Sequence, residues 1–235
     1  MTLPVAILAG GLATRLRPIT ETIPKSLVDV AGEPFVVRQL DYLYRQHIRD
    51  VVLCVGYLGE MIESVVGAGS RFGLRVAYSL DGPALLGTGG ALRRAVPLVG
   101  KVCFVMYGDS FLPVDFEPIE ADFHESGKPA LMTVVNNRDK WDKSNVLLVD
   151  GELIEYNKAS PRPNFHHVDY GLGIVKTEVL ERSQENAAFD LASVYSALSL
   201  EGRLHGHEVF TRFYEIGSHA GLQEAEEYFR TGGQT

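Results

Sequence analysis

Cysteine is nearly absent, with two in 235 residues, and neither Cys54 nor Cys103 belongs to a C-x-x-C pair. This excludes a disulfide framework and a thiolate zinc site. Both lie in apolar runs, Val51 to Val55 and Val102 to Val105, and read as buried free thiols of a reducing compartment. Long hydrophobic runs are missing as well: no stretch of about 18 apolar residues would span a membrane. The N-terminus has no basic region followed by an apolar one, as a signal peptide would. A cytoplasmic location with no membrane partner is the expectation. Positive charge is in deficit, 22 Lys and Arg against 30 Asp and Glu, so the net charge of −8 argues against a nucleic-acid partner. Internal repeats, low-complexity segments and a convincing linker are also absent.

What is present begins behind a short apolar strand. Leu8-Ala9-Gly10-Gly11-Leu12-Ala13-Thr14-Arg15-Leu16-Arg17-Pro18, with Pro24-Lys25 following, combines a glycine-rich turn, a guanidinium and an ammonium. Glycines let backbone N–H groups approach an anion that a Cβ would hold away. Arg15 can clamp phosphate oxygens in a fork, and Lys25 acts as a mobile point charge, so the segment reads as a triphosphate site. It is not a Walker loop, whose G-x-x-x-x-G-K-[ST] spacing does not occur. Nor is it a dinucleotide fingerprint, because Pro18 and Pro24 prevent a continuous helix from opening there.

Strand and helix patterns alternate up to about residue 110: strands at 5–9, 50–55, 74–79 and 102–107, helices at about 34–47, 58–67 and 88–97. That predicts an α/β fold, a Rossmann-like, mostly parallel sheet flanked by helices. On the first helix Phe35, Leu40, Leu43 and Tyr44 form an apolar face behind Pro34. Beyond residue 130 short strands take over, at 131–135, 145–149, 153–156 and 171–176 with a turn at Asp150-Gly151, predicting a smaller mixed or antiparallel lobe. Helices are expected at about 190–199 and at 219–230, the latter with Leu222, Ala225 and Phe229 on one side. Ligands on such sheets bind beyond the carboxyl ends of the strands, where Gly10-Gly11 and Gly108-Asp109 fall. Asp109 is suited to hold a hard divalent cation over phosphates; capping its own turn is the alternative.

The stretch from 8 to 34 resembles the G-G-x-G-T-R-L…P-K-P signature of sugar-1-phosphate nucleotidylyltransferases, which make NDP-sugars from an NTP and a sugar 1-phosphate. Ala13 stands for the third glycine and Ser26 for the proline after the lysine, and further matches run to about residue 229. The resemblance implies one nucleotidyltransferase domain over 1–235, with a nucleotide-binding part at 1–130 and a sugar-binding part at 131–235. It implies that Leu8, Ala9, Gly10, Gly11, Thr14, Gly87 and Thr88 bind the nucleotide. Leu86 to Ala91 matches the segment packing on base and ribose, where backbone without Cβ lies flat against a planar ring. Arg15 would bind the leaving phosphates and Lys25 the α-phosphate; Asp109 and Glu215, the latter where W-x-D-x-G-T has its Asp, would hold Mg²⁺. Asn157 and Lys158 resemble the family's acid-lysine pair, and Asp169 with Gly171 its N-x-G run, so these four would meet the sugar phosphate.

GTP or UTP is the expected nucleotide, since heptose 1-phosphate guanylyltransferases and N-acetylmuramate 1-phosphate uridylyltransferases are the nearest resemblances. A choline-phosphate cytidylyltransferase and a non-catalytic nucleotide-sugar-binding subunit stay open as alternatives. Oligomeric state is not legible. His166-His167 and the His205/His207 pair have no third ligand near in sequence and read as loop or strand histidines. Trp141 either stacks on a ligand or covers the core edge.

Overall fold

The computed structural model describes residues 2–82, 84–181 and 187–233. The first half alternates as expected. Strand β1 (Val5–Leu8) is followed by three short 3-10 turns and a two-residue hairpin, β2 (Asp29–Val30) and β3 (Glu33–Pro34). Then come α1 (Phe35–Arg45), β4 (Asp50–Val55), α2 (Gly59–Val66), β5 (Arg75–Leu80), α3 (Gly87–Val99) and β6 (Val102–Tyr107). The chain continues through β7 (Ser110–Phe111), α4 (Phe116–Ser126), β8 (Ala130–Asn136), β9 (Val146–Val149), β10 (Glu152–Tyr156) and β11 (His167–Lys176). It closes with α5 (Leu191–Leu200), β12 (Leu204–Val209), β13 (Tyr214–Glu215) and α6 (His219–Arg230).

β1 lies at the centre, parallel to β4 on one side and β6 on the other, with β5 outside β4. The strands after residue 130 continue this sheet instead of forming a separate layer. β11 runs antiparallel to β6, β8 and β9; β12 lies parallel to β8, and β10 caps β9. Strand alternation sorts the core into two layers: Val5, Ile7, Val51, Leu53 and Val55 face α1, α2 and α4, whereas Ala6, Val52 and Cys54 face α3 and α5. Cys54 and Cys103 are both buried and unpaired, and burial pushes the Cys103 thiol up to about 12.

Two expectations about packing change. On α1, Tyr44 is 44% exposed, while Val36, Val37 and Gln39 are buried beside Phe35, Leu40 and Leu43. The Tyr44 ring instead lies under the Arg49 guanidinium, 4.5 Å away. The helix α4 is unforeseen: it buries Phe116, Ile119 and Phe123, and Pro118 falls in its first turn, where a missing N–H costs nothing. On α6, Ala225 is buried and Leu222 and Phe229 pack around Phe111 and Ile216, making a third apolar cluster.

Candidate active site

Beyond the carboxyl end of β1, the loop from Ala9 to Ala13 is held by neighbouring strands: the Ala9 N–H donates to the Cys54 carbonyl at 2.8 Å, and Gly108 N–H to Leu8 at 3.0 Å. A Cβ on Gly10 would sit 3.2 Å from both Asp81 Oδ2 and Gly56 N, so this glycine is needed for the close approach of loops. Gly11 has open space where its Cβ would be. Ala13, at the position of the family's third glycine, adopts φ 50° and ψ 41°, the left-handed conformation that glycine takes freely. Its carbonyl accepts a hydrogen bond from Thr20 Oγ1 at 2.8 Å.

Leu8, Ala9, Gly10, Gly11, Lys25, Gly87, Thr88 and Asp109 line one cleft. A second, wider cleft holds Arg15, Lys158, Asp169, Gly171 and Glu215. Thr88, Tyr107 and Asp109 belong to both, so the two open onto each other. Thr14 and Asn157 line neither. Thr14 is exposed in the turn that carries Arg15. The Asn157 side chain is engaged within its own loop, accepting from Ser160 N at 2.9 Å and donating to Glu155 at 3.4 Å.

Lys25 Nζ lies 2.6 Å from Asp109 Oδ2. Asp109 itself sits in the turn from β6 to β7, and Gln39 braces that turn from below, its amide donating to the Tyr107 carbonyl at 3.1 Å and the Ser110 carbonyl at 2.9 Å. β13 brings Glu215 alongside: it pairs with Ser110, and Ile216 N–H donates to the Asp109 carbonyl at 2.9 Å. Burial and the nearby Asp109 carboxylate both push the Glu215 acid up, against the pull of Arg15 and Lys25. The Arg15 guanidinium is 3.4 Å from Glu215 Oε1 and is otherwise exposed. Gly217 makes this possible, since a Cβ there would meet Glu215 Oε1 at 2.1 Å.

The glycines after Leu86 do a different job from the one expected. Gly89 and Gly90 are buried, and their missing side chains make room for the segment 187–191: a Cβ on Gly89 would strike the Phe189 ring at 2.2 Å, and one on Gly90 the Ala187 carbonyl at 2.6 Å. Gly87 (φ 70°) and Thr88 remain at the cleft. Thr88 Oγ1 donates to Asp190 at 2.7 Å and accepts from Leu191 N, tying the cleft wall to the cap of α5. Sequence reasoning missed Asp81. It reads as part of an Asp81-Gly82-Pro83 turn, yet it is a buried carboxylate in the wall of the first cleft.

In the second cleft a bulge in β11 displaces residues 170–172 from their register with β8. The bulge lets Asp169 Oδ1 accept from Gly171 N at 2.9 Å, with Gly171 at φ 96°. Burial pushes the Asp169 carboxyl up to about 6 despite that bond and the charge of Lys158. Nearby, the buried Tyr156 hydroxyl has no hydrogen-bond partner among the described residues. Trp141 both lines this cleft and packs against the core, with Lys140 and Arg212 over its ring at 4.8 and 5.4 Å. The histidines serve as bracing. His205 and His207 bond the two oxygens of Asp122 at 3.0 and 2.6 Å, and His167 bonds Glu208 at 3.0 Å. No group of three His, Cys, Asp or Glu among the described residues could hold a metal.

A glycine-rich loop beyond a parallel sheet, opening onto a second polar cleft, is the arrangement of a two-substrate α/β transferase. The pattern of the nucleotidyl transferase family matches residues 5–144, and the chain belongs to that family. It is 30% identical over 224 residues to the N-acetylmuramate alpha-1-phosphate uridylyltransferase of Neisseria meningitidis serogroup B, covering 94% of this chain and 95% of that one. It is 32% identical over 140 residues to the D-glycero-alpha-D-manno-heptose 1-phosphate guanylyltransferase of Campylobacter jejuni, covering 60% and 62%. Against some longer relatives it spans 60% of their length. The fold is shared with a Bacillus anthracis protein assigned as a glucose-1-phosphate thymidylyltransferase and solved with sucrose. There the TM-score is 0.87 at 22% identity, over 97% of this chain and 96% of that one. No helix among the described residues is long and apolar enough to cross a membrane.

Proposed function

We propose that this chain transfers a nucleotidyl group from an NTP, GTP or UTP, to a sugar 1-phosphate, giving an NDP-sugar and pyrophosphate. The observation that carries the reading is one continuous space in which Lys25 and Asp109 face the Gly10-Gly11 loop and, past Tyr107, Lys158 and Asp169 face a second polar cleft. The triphosphate lies on the loop and the acceptor in the second cleft. The acceptor phosphate oxygen attacks the α-phosphorus in line as pyrophosphate leaves, and no covalent enzyme intermediate is needed. Lys25 neutralises the charge growing at the α-phosphate, and Arg15 draws the leaving phosphates. Lys158 pairs with the acceptor phosphate, while Asp169 and Gly171 hold the sugar.

Asp109 and Glu215 are the residues that would hold Mg²⁺. Two carboxylates brought together by paired strands, with burial and the Asp109 charge raising the Glu215 acid, fit a cation that takes one or two carboxylates and completes its shell with phosphate and water oxygens. Bound there, Mg²⁺ would supply charge neutralisation and alignment of the phosphates. The test is pyrophosphate release with Mg²⁺ across four NTPs and a panel of sugar 1-phosphates. Release that requires both substrates is the expected result; nucleotide binding with no release for any acceptor would instead favour a sensor.

A further inference from the structure

The middle of α1 carries an amide where its neighbours call for hydrocarbon. Gln39 is 1% exposed, on the helix face that buries Val36, Leu40 and Leu43. A buried side-chain amide brings two hydrogens and an oxygen, and each one left unmet costs free energy. Here the hydrogens are met and the oxygen is not. Nε2 donates to the Tyr107 carbonyl at 3.1 Å and to the Ser110 carbonyl at 2.9 Å, while Oε1 has no partner among the described residues. The reverse orientation would set that oxygen against two carbonyl oxygens, so the side chain has one way to lie. Its two bonds fall on either side of Asp109, whose carboxylate pairs with Lys25 at 2.6 Å.

We infer that Gln39 is a positioning residue for the divalent cation, fixing the Asp109 turn so that the carboxylate is set before nucleotide and metal arrive; the inference rests on the nucleotidyl-transfer reading above. Mg²⁺ demands near-octahedral geometry at short range, so a carboxylate on a turn free to rock would have to be ordered at the expense of binding. Gln39 carries no charge and lies behind the turn, on the helix and not in the cleft lining. Its effect therefore falls on the metal's share of nucleotide binding and not on the share that Lys25 and Arg15 supply. A purely structural brace would use the same two bonds. The two roles part at the metal.

The test is calorimetric binding of GTP and UTP, without acceptor, in Mg²⁺ and in EDTA. For the wild type, Mg²⁺ should tighten the preferred nucleotide. Gln39→Met fills similar space without donors: its affinity in EDTA should match the wild type, and its affinity in Mg²⁺ should fall by about tenfold or more, the usual effect of removing a partner behind a metal ligand. Val36→Ala, on the same face of α1, is the control, and should lower the melting temperature while keeping the gain from Mg²⁺. Gln39→Glu, of the same shape with at most one hydrogen to donate, gives the same reading should Gln39→Met not fold. A Gln39 variant that melts lower yet keeps the wild-type gain from Mg²⁺ would overturn the inference, as would a wild type that Mg²⁺ does not tighten. Pyrophosphate release in parallel separates the two readings. Release by Gln39→Met with wild-type dependence on Mg²⁺ removes the positioning role and leaves the reaction standing. A gain from Mg²⁺ that Gln39→Met loses, with no release by the wild type for any sugar 1-phosphate, keeps Gln39 and overturns the reaction.

Discussion

Replacing Asp169 with Asn should make the folded chain more stable, by an amount that grows with pH. Burial raises this carboxyl from an ordinary 3.8 to about 6. A carboxyl raised on folding contributes its full stability below 3.8, where both states hold the proton, and loses it as pH rises through 6. With these two values, ionising Asp169 in the folded chain costs on the order of 3 kcal/mol above pH 7 and about half that at pH 5. Asn removes the charge and keeps an oxygen for the Gly171 N–H. Urea denaturation at pH 5 and pH 8 measures the difference, and any constant offset between Asp and Asn cancels between the two. The gap between Asp169→Asn and the wild type should widen by roughly 1.5 kcal/mol at the higher pH. A gap that does not change with pH would refute the reasoning. The same substitution should raise KM for the sugar phosphate, because it exchanges one of the carboxylate oxygens proposed to meet the sugar for an amide donor.

Lys25→Ala and Arg15→Ala should each lower kcat at least about a hundredfold in the pyrophosphate assay with the fold intact by circular dichroism; normal turnover in either would remove that residue from the mechanism. Glu215→Gln should lose most Mg²⁺-dependent activity whereas Glu215→Asp keeps part of it, and a Gln variant with wild-type Mg²⁺ titration would leave Asp109 alone at the metal. Ala13→Gly should stabilise the chain by about 0.5–1 kcal/mol in thermal denaturation, since it relieves a left-handed alanine at φ 50°, less the entropy a glycine adds to the unfolded state. A lower melting temperature would show that the loop is not strained there.

Elements with their own periodicity were legible. The strands near 5, 50, 75 and 102 and the helices after 34, 58, 88, 190 and 219 announce themselves because burial on one or both faces leaves a repeat in the residues. α4 carried the same signal in Phe116, Ile119 and Phe123, hidden by a proline that only its first turn tolerates. The pairing of β7 with β13 had no signal at all, being two residues long and joined across a hundred positions. Gly89 and Gly90 show another limit: a sequence declares that space is required without saying whether a ligand or Phe189 fills it. Asp81 was hidden for the opposite reason, since a turn and a buried wall use the same residue types.

The short ladder between β7 and β13 gives the site an order of assembly. Asp109 follows directly from the central sheet, in a turn braced by Gln39, and needs nothing later in the chain than Ser110. Glu215 reaches it only after β8, β11 and β12 have extended the sheet and the α6 segment has returned to pack on Phe111 and Ile216. The nucleotide cleft is also finished late, because its wall at Thr88 leans on Asp190 and Leu191. The last fifty residues therefore complete both the wall of the nucleotide cleft and the pair of carboxylates, so a chain cut short before them would lose the two together.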